Sequence, residues 1–293
     1  MGLNLPSDIA SGRIAEMHSF SSMILHSTVS MINWHQNYKK LIYYFFNKGV
    51  FMKTILITGA SHGIGKAIAE KLAACGMRLF LNCRSSKETL YEYAVKLSET
   101  YHVPCTPLFY DVSDHKQVHA MFEEICALGE SIDILINNAG ISHIGLLQDM
   151  SIEEWNQVLN TNLTSAFSCS KYAIPDMITR KQGKIINISS IWGCSGASCE
   201  VAYSASKGGL NLFTQALAKE LAPSNIQVNA IACGVIDTRM NACFDAEERS
   251  ELENEIPAGR FAAPSEVADF VQQLIDAPSY LTGQIISFDG GYL

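Results

Sequence analysis

Thr58-Gly59-Ala60-Ser61-His62-Gly63-Ile64-Gly65 is the stretch on which the fold turns. Its glycines are spaced G-x-x-x-G-x-G. Gly59 suits a tight turn, Gly63 lets backbone approach a pyrophosphate, and Gly65 lets a helix pack closely on a strand. The N–H groups at the start of such a helix, with its dipole, favour phosphate. A glycine cluster alone reads equally well as a plain turn, so the flanks decide. Upstream, 53–58 is an apolar run with the length of a buried strand. Downstream, Ile68, Ala69, Leu72 and Ala73 recur at helical spacing until Gly76 stops the pattern. Strand, glycine loop and helix together predict a dinucleotide-binding unit.

Working outward, strands are predicted at 78–83, 105–110, 132–136, 184–188, 226–231 and 284–288. Helices are predicted at 88–101, 115–128, 152–180, 201–221 and 265–275. Strands alternating with helices imply right-handed crossovers. The expected fold is Rossmann-like and doubly wound: a mostly parallel seven-stranded sheet with helices on both faces. Ligands in such sheets sit at the C-terminal ends of the strands, where the strand order reverses. The stretch 240–257 carries no recognisable pattern and is expected to be a loop lining the substrate pocket.

One domain is placed at 52–293. Residues 1–51 show neither helical nor strand period, no basic region ahead of an apolar block, and no linker composition. They are expected to be a disordered tail or an over-extended start. Trp34 and the cluster Tyr43-Tyr44-Phe45-Phe46 leave a docking role as the alternative.

The chain has 293 residues, a formal net charge of −8, 48% hydrophobic and 17% charged residues. That is globular composition, and without a basic block nucleic acid is not expected as a partner. No apolar run approaches the ~20 residues of a spanning helix, so no membrane is expected. Nine cysteines without a CxxC pair argue against a disulfide framework or a zinc site and for a reducing, cytoplasmic setting. Nearly all of them are expected to be small buried hydrophobes.

Four further groups carry chemistry. The second strand ends in Asn82-Cys83-Arg84-Ser85, with no carboxylate for ribose hydroxyls and with Arg84 able to pair a 2′-phosphate. Tyr203 and Lys207 stand four apart at the start of a helix and share a face. The Lys207 ammonium is expected to lower the Tyr203 pKa, making the phenol an acid/base. Ser190 ends the fifth strand, thirteen residues before Tyr203, where it could hold a substrate oxygen. Asn162 sits in mid-helix, where asparagine is unfavourable, and so marks a kink or a bound water. Asn137-Asn138-Ala139-Gly140 ends the fourth strand with small residues that could admit the cofactor's adenosine side.

Together, Thr58 to Gly65, Asn137 to Gly140, Asn162 and Ser190 with Tyr203-Ser-Ala-Ser-Lys207 resemble the short-chain dehydrogenase/reductase family. Pro257-Ala-Gly259-Arg260, Thr282-Gly283-Gln284 and Asp289-Gly-Gly291 look most like bacterial 3-oxoacyl-acyl-carrier-protein reductases. The resemblance covers 52–293, about four fifths of the chain. It implies a catalytic tetrad of Asn162, Ser190, Tyr203 and Lys207. It implies that Lys207 also binds the nicotinamide ribose and passes protons to water held by Asn162. Cofactor contacts are implied at Gly59, Ser61, His62, Gly63, Ile64 and Gly65, at Arg84 and Ser85, and at Asp111 and Val112 beside the adenine. Further contacts are implied at Asn138, Ala139 and Gly140, and at Ile236 and Thr238 beside the nicotinamide amide. The implied cofactor is NADP(H), with NAD(H) as the alternative because His62 stands where NADPH-preferring relatives carry arginine. No metal is implied.

The implied function is NADPH-dependent reduction of a 3-oxoacyl thioester on acyl-carrier protein, in fatty-acid synthesis, by a homotetramer. The alternatives are a reductase of a sugar, polyol or steroid, and a catalytically idle nucleotide-binding scaffold. Arg180, Lys181 and Lys184 form a basic group that could meet an acidic carrier, though on charge alone they read as a solvated helix end. The sequence departs from the family at Cys233-Gly234, where relatives have Pro-Gly.

Overall fold

The structure is a computed structural model and describes residues 52–241 and 245–293. The expectations for residues 1–51 lie outside the described residues, as does Cys243.

Seven strands form one sheet in the order β3-β2-β1-β4-β5-β6-β7, and every pairing is parallel. The strands are β1 (Thr54–Ile57), β2 (Arg78–Cys83), β3 (Cys105–Phe109), β4 (Ile134–Asn137), β5 (Gly183–Ser190), β6 (Ile226–Cys233) and β7 (Ile285–Phe288). The chain winds outward from β1 to β3, then returns to β4 on the other side of β1. The crevice between β1 and β4 is therefore the switch point.

The helices are α1 (Gly63–Ala74), α2 (Lys87–Tyr101), α3 (His115–Ala127), α4 (Ile152–Leu159), α5 (Ser165–Arg180), α6 (Trp192–Ser195), α7 (Val201–Leu221), α8 (Ala246–Glu255) and α9 (Pro264–Asp276). The period-two geometry of each strand sends alternate side chains to opposite faces. Ile55, Ile57, Leu79 and Leu81 join the core that also holds residues of α1, α2 and α9. Leu56, Phe80, Leu135 and Ile185 join the core with residues of α3, α5 and α7. Burial on both faces explains why the strands read as unbroken apolar runs.

Three differences from the sequence reading bear on the site. First, β5 and β6 extend through Ser190 and Cys233, because Ser189 and Ser190 stay in register with Ala232 and Cys233. Ser190 thus closes β5, as expected of the residue that ends the fifth strand. Second, the predicted 152–180 helix is interrupted by a π turn at Asn160–Thr164. Such turns occur where an extra residue is accommodated, often at functional sites, and Asn162 lies in its middle. Third, 240–257 contains helix α8, capped by Asp245, which accepts from the N–H groups of Glu247 and Glu248 at 2.9 Å.

The cysteine expectation is also corrected. Among the described residues Cys83, Cys105, Cys169 and Cys233 are buried, Cys199 is intermediate, and Cys75, Cys126 and Cys194 are exposed. The exposed ones sit in or beside amphipathic helices and short surface elements, where position sets exposure.

Candidate active site

The phosphate loop is shaped by close backbone approaches. Gly59 has φ +65°, and a Cβ there would lie 2.9 Å from the Ala139 Cα. A Cβ on Gly65 would meet the Gly59 carbonyl oxygen and the Asn138 Nδ2 at 2.4 Å. Asn138 closes the arrangement: its Nδ2 donates to the Thr58 and Gly59 carbonyls at 2.9 and 3.0 Å. The backbone N–H groups of Asn138 and Ala139 both donate to Thr58 Oγ1 at 3.0 Å. The role of Asn138 is therefore to lock the end of β4 onto the loop after β1. The sequence predicts space for adenosine and a cofactor contact at Asn138, but not this lock.

Helix α1 begins with no acidic residue in its first turn, and its N-cap, His62, makes no side-chain capping bond. The leading N–H groups face a cavity of about 320 Å³ lined by Gly63, Ile64, Ala139, Ser190, Tyr203 and Lys207, among others. Gly59, Ser61, His62, Asn138, Gly140, Ile236 and Thr238 also line it. Gly65 lies behind the loop wall and does not. Arg84, Ser85, Asp111 and Val112 lie beyond the cavity, around the ends of β2 and β3. There the Arg84 guanidinium stands 3.8 Å from the Asp111 carboxylate. Arg239, an exposed cation, lines the same cavity and was missed by sequence reasoning. Its spacing one residue past Thr238 was the available signal. Burial first, then the charges of Arg239 and Lys66, hold His62 below its usual pKa.

At the end of β5 the Ser190 hydroxyl accepts from the Trp192 N–H at 3.2 Å and is hydrogen-bonded to Tyr203. Lys207 is 4% exposed, and its ammonium donates to the Ile188 carbonyl at 2.8 Å. Burial lowers its pKa to about 8. The expectation that Lys207 depresses the Tyr203 pKa is corrected. Burial pushes the phenol up, more strongly than the Ser190 bond pulls it down. The ammonium is 5.6 Å from the ring centre and already occupied by the strand carbonyl. The phenol is therefore protonated at neutral pH, the state a proton donor needs.

Asn162 is 2% exposed. Its Oδ1 accepts from the Ile141 N–H at 2.8 Å, and its Nδ2 donates to the Ile141 carbonyl at 2.9 Å and to Ser206 Oγ at 3.0 Å. Ser206 Oγ in turn donates to the Tyr203 carbonyl at 2.7 Å. The π turn thus joins the strand end after β4 to the first turn of α7. Ser206, between Tyr203 and Lys207, carried no signal of this role in the sequence.

A second cavity of about 350 Å³ adjoins the first and shares Ser190, Tyr203, Gly234, Met240 and Asn241 with it. Its remaining wall comes mainly from α6, the start of α7 and helix α8.

The basic group at 180–184 does not belong to this region. Arg180 pairs with Asp133 and donates to the Ile132 carbonyl at 2.7 Å. Lys184 donates to the Leu274 and Ala277 carbonyls at 3.2 and 2.7 Å. These residues cluster at the N-terminal ends of β4 and β5, the opposite end of the sheet from Ser190.

A family model described as short chain dehydrogenase matches residues 53–249. A Bacillus subtilis protein described as an uncharacterised oxidoreductase is 42% identical over 241 residues, covering 82% of this chain and 98% of that one. A 3-oxoacyl-acyl-carrier-protein reductase of Aquifex aeolicus is 41% identical over 240 residues, covering 82% and 96%. The crystal structure of a 3-oxoacyl-acyl-carrier-protein reductase from Brucella melitensis superposes with a TM-score of 0.77 at 32% identity, covering 82% and 91%.

Proposed function

The chain belongs to the short-chain dehydrogenase family of NAD(P)-dependent oxidoreductases, and from that premise we propose that it reduces 3-oxoacyl thioesters on acyl-carrier protein to the 3-hydroxyacyl form with NADPH. The observation that carries the chemistry is the convergence of Ser190, Tyr203 and Lys207 on the cavity that also contains the phosphate loop. The choice of thioester rests on the likeness to reductases of that activity over most of both chains.

The residues present fit a dinucleotide. A side chain at Gly63 would stand 3.3 Å from Thr238 Cγ2 and narrow the gap between phosphate loop and opposite wall. The first turn of α1 offers uncapped N–H groups to phosphate. Thr238 and Ile236 face the same space, and Arg84, half exposed, is available to a 2′-phosphate near the end of β2.

A nicotinamide cofactor held by the phosphate loop, Ile236 and Thr238 would supply the hydride for reduction of a carbonyl carbon. Tyr203 donates the proton to the carbonyl oxygen, and Ser190 hydrogen-bonds that oxygen and orients it. Lys207, anchored on the Ile188 carbonyl, lines the same cavity and would hold the nicotinamide ribose. Asn162 fixes the backbone at Ile141 and, through Ser206, the first turn of α7, so that Tyr203 stays placed.

Among the described residues no helix is long and apolar enough to cross a membrane; nine cysteines without a CxxC pair support a reducing, cytoplasmic setting. Phe167 on α5 and Leu212 on α7 are 49% and 69% exposed. These apolar positions on the outer helical layer support self-association, and we assign a homotetramer. The test of the function is direct: the purified chain with NADPH should reduce acetoacetyl thioesters. Much faster turnover of simple sugars, polyols or steroids would replace this reading, and no turnover of any carbonyl would favour an idle scaffold.

A further inference from the structure

The two adjoining cavities are sorted by charge. Among the described residues, the one containing the phosphate loop is lined by Lys207 and Arg239 and by no aspartate or glutamate. The one on the far side of Ser190 and Tyr203 is lined, among the described residues, by Glu200, Glu248, Glu251 and Glu255 and by no lysine, arginine or histidine. The remainder of its wall includes Ile144, Trp192, Val235 and Leu252.

The carboxylates are built in. Glu248, Glu251 and Glu255 recur at spacings of three and four on α8, which places them on one face. Glu248 accepts from the Asp245 N–H at 3.0 Å. Glu255 accepts from the Tyr292 hydroxyl at 2.7 Å, and the Tyr292 ring meets Trp192 edge-on at 5.9 Å. Glu200, from the other wall, accepts from Ser142 Oγ at 3.0 Å. The arginine of the same helix does not neutralise them. Arg249 pairs with Asp237 and Glu253 at 3.1 Å and lies over the Phe261 ring at 4.5 Å.

We propose that this acidic wall is a substrate filter: the cavity beyond Tyr203 takes an uncharged carbonyl segment and turns away one that carries a carboxylate or phosphate within its depth. Glu248, Glu251 and Glu255 are solvent-exposed and Glu200 is half-buried. Together they set up a negative field at a half-open cavity that repels an anionic segment, most strongly at low ionic strength, whereas the neutral acyl end of a thioester is not repelled. Free 3-oxo acids are thus excluded, and the phosphate of any carrier arm stays outside the cavity. The inference rests on reading the first cavity as the cofactor side and the second as the substrate side.

The test compares ethyl acetoacetate with acetoacetate at saturating NADPH and low ionic strength. The ester should exceed the acid in kcat/KM by at least ~10-fold, and Glu200→Gln with Glu251→Gln should bring the ratio within ~3-fold. A ratio near one in the parent, or one that the glutamines leave unchanged, overturns the filter. Turnover of neither compound, with acetoacetyl thioesters also inert, counts against the thioester reading instead. The filter is then decided without activity, in a chain with Trp34→Phe and Trp155→Phe. Iodide should quench Trp192 fluorescence less than acrylamide does, and the two glutamines should raise the iodide effect alone. Equal response to iodide before and after those substitutions overturns it.

Discussion

The Lys207 ammonium donates to the Ile188 carbonyl at 2.8 Å while standing 5.6 Å from the centre of the Tyr203 ring. The lysine is thus anchored to the strand that ends in Ser190 and is set apart from the phenol. Proton transfer and cofactor binding consequently fall on different atoms, and single substitutions should separate them.

Tyr203→Phe removes the hydroxyl and keeps the ring. Turnover should fall by ~10²-fold or more, the scale of a lost general acid. The NADPH dissociation constant, read from cofactor fluorescence, should stay within a few fold. Substantial residual kcat would take the proton-donor role away from Tyr203.

Lys207 also leaves a signature in stability. Its folded pKa, about 8, lies below the ordinary lysine value of 10.5 because burial disfavours the charge. Below pH 8 both folded and unfolded chains hold the proton, and the burial cost is present in full. Between pH 8 and 10.5 the unfolded chain binds more protons at this site, so stability rises with pH. Relative to Lys207→Met, the parent should gain up to ~3 kcal/mol over that window. The nearby Cys233 thiol, raised to about 12 by burial, is present in both chains and contributes to both curves. Urea midpoints at pH 7 to 10 measure the difference, and parallel curves would contradict the assigned burial cost.

The sheet was legible because strands buried on both faces are continuous apolar runs, and each ends near its predicted limit. Helix α8 was not legible: Ala246–Glu255 buries no residue and has no apolar period. Only its cap, Asp245 with Glu248, betrayed it. Ser190, Tyr203 and Lys207 could be found from spacing, since a strand end and one helical turn fix their separation. The direction of the Tyr203 shift could not, because it depends on how deeply the fold buries the phenol. Nor could the basic group at 180–184 be placed from charge alone. Which end of β5 it occupies is decided by the direction in which the strand runs from Gly183 to Ser190.

Arg84→Asp should lower the ratio of kcat/KM for NADPH over NADH by ~10-fold or more, the loss of a charge-assisted phosphate contact. The long 3.8 Å approach of Arg84 to Asp111 leaves the guanidinium free to turn to a phosphate. The new carboxylate would suit ribose hydroxyls, so the NADH value should hold or rise. Equal preference in the parent chain would remove Arg84 from cofactor choice.

A chain begun at Met52 should keep the kcat/KM of the full-length chain. Among the described residues, the seven strands of the sheet and the residues lining both cavities lie between Thr54 and Leu293. Assays of the two chains side by side are the measurement, and a loss beyond ~3-fold, well outside the range of a neutral surface change, would assign residues 1–51 a part in the working enzyme.

Asn162 offers the sharpest division between structure and chemistry. Both atoms of its amide are engaged by the Ile141 backbone, and its Nδ2 also reaches Ser206, which holds the Tyr203 carbonyl. Asn162→Asp preserves the acceptor and loses the donor. Two groups, the Ile141 carbonyl and Ser206 Oγ, then face a carboxylate, and an unpaired buried partner costs ~1–3 kcal/mol. Asn162→Ala loses both and empties the π turn. If the residue works by placing Tyr203, both variants should lower kcat while the pH profile of the remaining activity keeps its shape, and Ser206→Ala should reproduce part of the loss. If it works by relaying protons, the profile itself should move and Ser206→Ala should be silent. Each hydrogen bond given to Asn162 ends on the Ile141 backbone or on Ser206, the arrangement that the first outcome requires.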